Sequence, residues 1–303
     1  MVARIQYKYI VAIVFMFGLF MDLLDTTVVN VAVPQLSRDF NASTTAVEWT
    51  VTGYLLSLAV FIPAAGFLSD RFGTKRSFLT AMMIFIIASA LCGTAQSLQE
   101  LIFFRFLQGM GGGMMTPVGT AMLSREFPGA ERAKASALIS VPVVFAPTLG
   151  PVLGGYLVEY VSWRWIFYIN LPVGIIGFIF GFRYLQEHKE SYAATGFDIF
   201  GLITGGAGAA SLLYALSEAA TSGWTSQKVL SFGGAGVLLG VLFILRELRA
   251  HPPIIDLSLF KRPLFTLGNV MIMPAFAVFS GFIFTLTLFL QELQGRSPLH
   301  AGL

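Results

Sequence analysis

Residues 9–33 read YIVAIVFMFGLFMDLLDTTVVNVAV, from Tyr9 to Val33. This run of 25 residues holds just two charges, Asp22 and Asp25, and is long enough to cross a bilayer, which takes about 20 apolar residues. Arg4 and Lys8 precede it, as basic residues precede the apolar core of a signal peptide. Its length, its two acidic residues and the lack of a small-x-small cleavage site instead predict a retained first membrane helix.

Eight further runs of the same kind follow: Ala46–Leu68, Ser77–Ala95, Leu101–Leu123, Ala135–Leu157, Trp165–Tyr184, Phe197–Leu216, Val229–Leu245 and Leu264–Leu290. The whole chain of 303 residues is 56% hydrophobic and 12% charged, with a mean hydropathy of +0.77. A soluble domain carries about 25% charged residues, so this one cannot coat a globular surface. The expected fold class is therefore an all-α integral membrane protein with nine helices. A cytosolic enzyme, a secreted domain and a disordered chain are excluded. A net charge of +3 gives no reason to expect nucleic acid as a partner. The lone cysteine, Cys92, lies in an apolar run and reads as a packing residue.

Orientation follows from the basic residues. Segments 1–8, 69–76, 124–134, 183–196 and 246–263 hold 14 of the 19 Lys and Arg, and the alternate loops hold 4. The N-terminus is thus expected in the cytoplasm, in a multi-pass protein of the cell's inner membrane. No connection leaves room for a nucleotide-binding domain, and no Gly-Lys pair exists to make a P-loop. Gly109-Met110-Gly111-Gly112-Gly113 follows no strand, so it fails as a dinucleotide loop. No cofactor is expected. Energy for transport would come from an ion gradient or from the substrate's own gradient.

The remaining Arg is Arg105, in the fourth run. Charges at the bilayer centre cost ~2.5–3.5 kcal/mol each, so Asp22, Asp25 and Arg105 each need a reason to be there. Asp22 and Asp25 are about 60° apart on one helix, and Arg105 shares a face with Gln108 in the same way. A static pair would merely pin two helices. A titratable carboxylate facing water would bind a proton or an organic cation and gain little from both at once. Burial disfavours the charge on Asp25 and a nearby Arg105 favours it. Such mutual exclusion is the physical core of proton-coupled antiport. Asn30, Tyr54 and Gln108 are further candidates to line a cavity. Trp163 and Trp165 read as interface anchors.

In the fifth run, Gly150 and Gly154 continue a stripe begun by Ala146, a spacing that lets helices approach closely. Pro147 and Pro151 favour bends there, so the segment suits ordinary packing or a pliant hinge. Between the second and third runs stands Gly66-Phe67-Leu68-Ser69-Asp70-Arg71-Phe72-Gly73-Thr74-Lys75-Arg76. Its basic residues fit a cytoplasmic loop. Its aspartate suits the exposed amides of a helix start, or an arginine.

Together these residues resemble the major facilitator superfamily, and within it the fourteen-helix branch of drug:proton antiporters. Gly66, Asp70, Arg71, Gly73 and Lys75 match the signature of the loop between helices 2 and 3, with Thr74 where a basic residue is usual. Arg105, Gln108, Gly109 and Gly111 match the helix 4 signature, whose arginine is linked in the family to proton coupling. Gly150, Pro151, Gly154 and Gly155 match the helix 5 antiporter signature, which importers generally lack; Ala146 replaces its first glycine. Leu24–Pro34 and Trp163–Pro172 resemble signatures of the fourteen-helix branch.

The resemblance implies a major facilitator fold: a complete N-terminal six-helix bundle over 1–184, an extra helix pair and cytoplasmic linker over 185–262, and the start of a C-terminal bundle over 263–303. It also implies a chain about five helices short of the family's length, and so no transport by these residues alone. The implied function is proton-coupled export of hydrophobic or cationic drugs by alternating access, with small lipophilic substrates, protons and the bilayer as partners. Asp70, Arg71 and Lys75 would latch the cytoplasmic gate. A periplasmic adaptor protein is a further possible partner in this branch. The alternative is a dedicated exporter of one metabolite, antibiotic, siderophore or lipid. A membrane enzyme or channel fits poorly, because His188, His251 and His300 are scattered in loops or ends.

Overall fold

The computed structural model describes residues 6–188, 198–250 and 253–297. Among these the chain is helical throughout, with no strand. The long elements are α1 (Tyr7–Asp39), α3 (Trp49–Phe72), α4 (Thr74–Thr94), α5 (Leu98–Glu126), α6 (Arg132–Tyr160), α8 (Asn170–Tyr184), α9 (Ile199–Ser222), α10 (Gln227–Glu247) and α11 (Pro263–Leu288). Two single turns, α2 (Thr44–Val47) and α7 (Trp165–Tyr168), lead into α3 and α8. The nine expected spans all fall on helices. Arg4, Lys189, Phe197, His251 and His300 lie outside the described residues.

Local chemistry sets the helix ends. Ser43, Ser97, Asp198 and Ser226 each accept a bond from the backbone amide three residues on, the usual N-cap arrangement. Glu100 reaches back from the first turn of α5 to the Gln96 amide at 2.9 Å. Between α3 and α4 the chain reverses at Gly73, whose φ of 93° favours glycine.

Seven helical segments among the described residues are long and apolar enough to cross a membrane. Two expected spans fall outside that set. In α11 the described apolar helix is Pro263–Phe279, a shorter stretch. The other, α5, is the least apolar of the long helices, carrying Arg105, Gln108 and many glycines. The physical reason is its place in the bundle: α5 packs most closely on α3 and α4 and also touches α1. A helix surrounded by helices has little need of a lipid-compatible surface.

The core forms two clusters. One joins Val11, Val14, Phe15, Tyr54, Phe78, Met82, Phe85 and Met115; the other joins Leu24, Val28, Leu36, Cys92, Leu101, Trp163 and Phe167. Trp163 corrects an expectation, since it is an interior residue at 2% exposure. Its indole N–H donates to Asp39 at 2.7 Å, and its ring meets Phe40 and Phe167. The bonded N–H is what allows a tryptophan to be buried. Trp165 is half exposed.

Three close contacts fix the packing. The α6 stripe seats against α1: a Cβ on Gly150 would lie 2.0 Å from Thr27 Oγ1, and one on Gly154 3.1 Å from the Val28 carbonyl oxygen. On α5, a Cβ on Gly109 would lie 2.5 Å from the Tyr54 carbonyl oxygen of α3. α9 and α10 are more peripheral; they pair with each other, and α9 also rests on α3.

Candidate functional site

Asp25 and Arg105 meet where the two core clusters abut, and both are sealed, at 1% and 0% exposure. Arg105 Nη1 donates to Asp25 Oδ2 and to Gln108 Oε1 at 2.7 Å. Arg105 Nε donates to the Thr50 carbonyl oxygen at 3.0 Å. The other carboxylate oxygen, Asp25 Oδ1, accepts from Gln108 Nε2 at 2.8 Å and from Asn170 Nδ2 at 3.1 Å. Gln108 and Asn170 both also reach Ser89 Oγ, at 3.2 and 3.1 Å. The Ser89 hydroxyl in turn donates to the Phe167 carbonyl oxygen at 2.9 Å. Five helices, α1, α3, α4, α5 and α8, thus contribute to one network, with α5 and α8 bonding the carboxylate directly. A buried pair is tolerable when its remaining lone pairs and protons are satisfied; here both carboxylate oxygens accept and three guanidinium N–H groups donate, while Asn170 Oδ1 is buried and unpartnered.

Of the expected site residues, Asp25, Arg105 and Gln108 come together in this network. Tyr54 is wholly buried beside it, with its ring centre 4.1 Å from the guanidinium carbon of Arg105. Its hydroxyl donates to Asp22 Oδ1, and Thr116 Oγ1 contacts Asp22 Oδ2 at 3.4 Å. Asp22 and Asn30 lie on a partly exposed face of α1. Asn30 Oδ1 is buried and unpartnered.

Sequence reasoning did not place Ser89, Thr50 or Asn170 in this site. Ser89 and Thr50 are single polar residues in apolar runs, with no charge to demand explanation. Asn170 stood inside the Trp163–Pro172 motif, and that motif was its one signal. Cys92, read as packing, is buried with its sulfur 3.6 Å from Gln108 Oε1.

The motif between α3 and α4 forms a clasp on the last turn of α8 and the segment that follows it. Lys75 Nζ donates to the carbonyl oxygens of Phe182 and Leu185, at 2.9 and 2.6 Å. Glu187 accepts from the Lys75 and Arg76 amides at 3.0 and 3.2 Å. The exposed amides of Lys75 and Arg76 at the start of α4 are therefore taken by Glu187. A Cβ on Gly73 would sit 2.2 Å from Glu187 Oε1, so the glycine also makes room for the cap. Gly66, Asp70 and Arg71 are exposed. The guanidinium of Arg71 lies 5.9 Å from the Phe67 ring centre. Gly155 is buried and Pro151 partly so.

A helical multi-pass membrane protein with a sealed ion pair at its centre is the class these features define. Residues 15–303 match the Major Facilitator Superfamily, and the chain belongs to that family. It is 37% identical over 292 residues to "Uncharacterized MFS-type transporter YhcA" of Bacillus subtilis (strain 168), covering 96% of this chain and 54% of the relative. It is 38% identical over 287 residues to "Fatty acid resistance protein FarB" of Neisseria gonorrhoeae, covering 94% and 57%. It is 38% identical over 288 residues to "Putative multidrug resistance protein MdtD" of Yersinia pestis (strain Pestoides F), covering 95% and 61%. The chain thus spans little more than half the length of these relatives. In fold it resembles the human organic anion transporter MFSD10 (TETRAN), with TM-score 0.59, 20% identity, and coverage of 97% of this chain and 68% of that one. It also resembles a bacterial homolog to the human lysosomal transporter Spinster, with TM-score 0.51, 17% identity and coverage of 84% and 66%.

Proposed function

We propose that the protein carrying this chain exports hydrophobic and cationic drugs across the inner membrane in exchange for protons, by alternating access. The observation that carries the reading is the Asp25–Arg105 pair: a carboxylate and a guanidinium sealed among the helices and held in a network of hydrogen bonds. Intramembrane ionisable residues mark ion pathways by default. Protonating Asp25 releases the charge that holds Arg105, which gives the proton leverage over the packing of α1 against α5. Relatives named for multidrug resistance support drugs as the cargo.

In this reading residues 1–184 form the N-terminal bundle, 185–262 the extra helix pair and linker, and 263–303 the first part of the C-terminal bundle. The N-terminus is cytoplasmic. Substrate binds between the two bundles, which rock about it. The gate motif at Gly66, Asp70, Arg71, Gly73 and Lys75 latches the cytoplasmic side. The stripe at Gly150, Pro151, Gly154 and Gly155 keeps α6 close to α1. No cofactor takes part, and a periplasmic adaptor is a candidate partner.

The test is ethidium efflux from cells expressing the complete open reading frame, with and without an uncoupler, wild type against Asp25→Asn. Proton-driven export predicts that the uncoupler and the substitution each abolish efflux. Efflux by Asp25→Asn that still follows the proton gradient would sink the assignment. A second reading, export of one amphipathic lipid, is favoured by the relative named for fatty acid resistance. Resistance to a single lipid class, with no dye or antiseptic exported, would select it.

A further inference from the structure

Helices α4 and α8 flank a groove of about 590 Å³, at the end of the bundle where α4 begins and α8 stops. Its walls are apolar: Leu79, Met83 and Ile84 from α4, and Phe178 and Phe182 from α8. The two phenylalanine rings lie nearly parallel, 15° apart with centres 6.2 Å from each other, and Phe182 is 65% exposed. The chemistry changes at the helix ends, where Lys75, Arg76 and Glu187 line the same groove. From Arg76 to Ile84 a helix rises about 12 Å, close to the ~15 Å depth of one hydrocarbon leaflet. A charged end above an apolar length of that depth has the profile of a lipid.

Charge decides which lipid fits. Two cations and one carboxylate line the groove, an excess of one positive charge. Glu187 spends its oxygens on the Lys75 and Arg76 amides. The Lys75 ammonium is turned to the carbonyl oxygens of Phe182 and Leu185. Arg76 is not committed in this way. Its side chain is 80% exposed, and its contact with Glu187, Nε to Oε2 at 3.7 Å, is beyond hydrogen-bond length. A guanidinium presents a planar fork that matches two phosphate oxygens at once. We propose that the groove binds one anionic phospholipid, its phosphodiester on Arg76 and an acyl chain between α4 and α8. A zwitterionic headgroup would add a second cation to a site that already has one in excess, so the monoanionic class is the better match. Basic pockets between membrane helices take anionic headgroups on the same grounds. The acyl chain covers the exposed Phe182 ring, and the bound lipid braces the clasp made by Lys75 and Glu187. The inference needs only a membrane-spanning bundle and is independent of the cargo.

The experiment is native mass spectrometry of the purified full-length protein in detergent, titrated with dioleoyl phosphatidylglycerol or dioleoyl phosphatidylcholine. The wild type should bind its first phosphatidylglycerol more tightly than phosphatidylcholine. Arg76→Gln should weaken phosphatidylglycerol about fivefold or more, the effect of one basic residue on an anionic headgroup, and shift phosphatidylcholine by no more than about twofold. Arg76→Lys, which keeps the charge, should keep the preference. Met83→Trp fills the groove and should weaken phosphatidylglycerol even though Arg76 is intact. Lys228→Gln removes a cation at the start of α10, where it pairs with Glu218, and should change neither lipid. Glycerol 3-phosphate, the headgroup chemistry without the chains, should not displace the lipid. Thermal midpoints in lipid-free detergent check that each variant is folded. Equal affinity of the wild type for the two lipids would overturn the proposal. So would unchanged phosphatidylglycerol binding in Arg76→Gln or in Met83→Trp, loss of the preference in Arg76→Lys, an equal loss in Lys228→Gln, or displacement by glycerol 3-phosphate.

Discussion

The guanidinium carbon of Arg105 lies 4.1 Å from the ring centre of Tyr54, and the same tyrosine's hydroxyl donates to Asp22. One side chain thus touches Arg105 and Asp22 by two different interactions. A desolvated cation–aromatic contact contributes about 2 kcal/mol. Tyr54→Leu should lower the thermal midpoint of the purified protein, whereas Tyr54→Phe, which keeps the ring, should retain most of it. Equal losses in the two variants would show that the hydroxyl's bond to Asp22, and not the ring against Arg105, carries the contribution.

Arg105→Leu leaves Asp25 buried without its counter-charge. Breaking such a pair from one side costs about 3–5 kcal/mol, much of it the penalty of the orphaned charge. Arg105→Leu combined with Asp25→Asn should therefore be more stable than Arg105→Leu alone. Unfolding followed by circular dichroism in detergent reads this out, and a double variant weaker than both single ones would contradict it.

Gly150→Ala would place a methyl 2.0 Å from Thr27 Oγ1. Overpacking of this kind costs about 1–3 kcal/mol. Shrinking the opposing side chain should recover part of the loss, so Gly150→Ala with Thr27→Gly is expected to be less damaged than additivity predicts. A double-mutant cycle in thermal stability measures the coupling.

Lys8 reaches Glu131 at 2.8 Å and ties the start of α1 to the turn before α6. The hydrogen bond from Lys8 holds the Glu131 carboxyl below the ordinary carboxylate range. Because the folded value is the depressed one, the contact is fully present above the ordinary value and is lost as pH falls through the folded one. Amide exchange in the first turn of α1 should rise on acidification into that window. Glu131→Gln should exchange fast at every pH, and a wild type with flat exchange would refute the linkage.

Glu187 accepts from the Lys75 and Arg76 amides, so Glu187→Ala should fray the first turn of α4 by about 1 kcal/mol, as losing a cap does. Faster exchange confined to residues 74–77 is the expected signature.

The helices were legible because lipid imposes a length and an apolarity that any window of the sequence displays. The Asp25–Arg105 pair was legible for the opposite reason: charge is so costly in that setting that each such residue demands a partner. Gln108 followed from its spacing to Arg105. What stayed hidden were the uncharged partners. Ser89 and Asn170 sit in apolar surroundings with no periodic or electrostatic signal, and their roles depend on which distant helix they meet. The same holds for Glu187, whose place at the start of α4 is set by a contact more than a hundred residues away. Trp163 looked like an interface residue because its neighbours are polar and basic. The Asp39 acceptor that lets it turn inward lies 124 residues earlier.

Asp25 enters the membrane with the first helix, yet Arg105 follows it by 80 residues and Asn170 by 145. While the ribosome is still extending the chain, that carboxylate has neither of these partners. The network therefore cannot close until α8 has been made, because Asn170 supplies one of its bonds. A substitution that slows the insertion of α8 would harm the yield of correctly built protein even where it leaves every contact of the finished molecule intact.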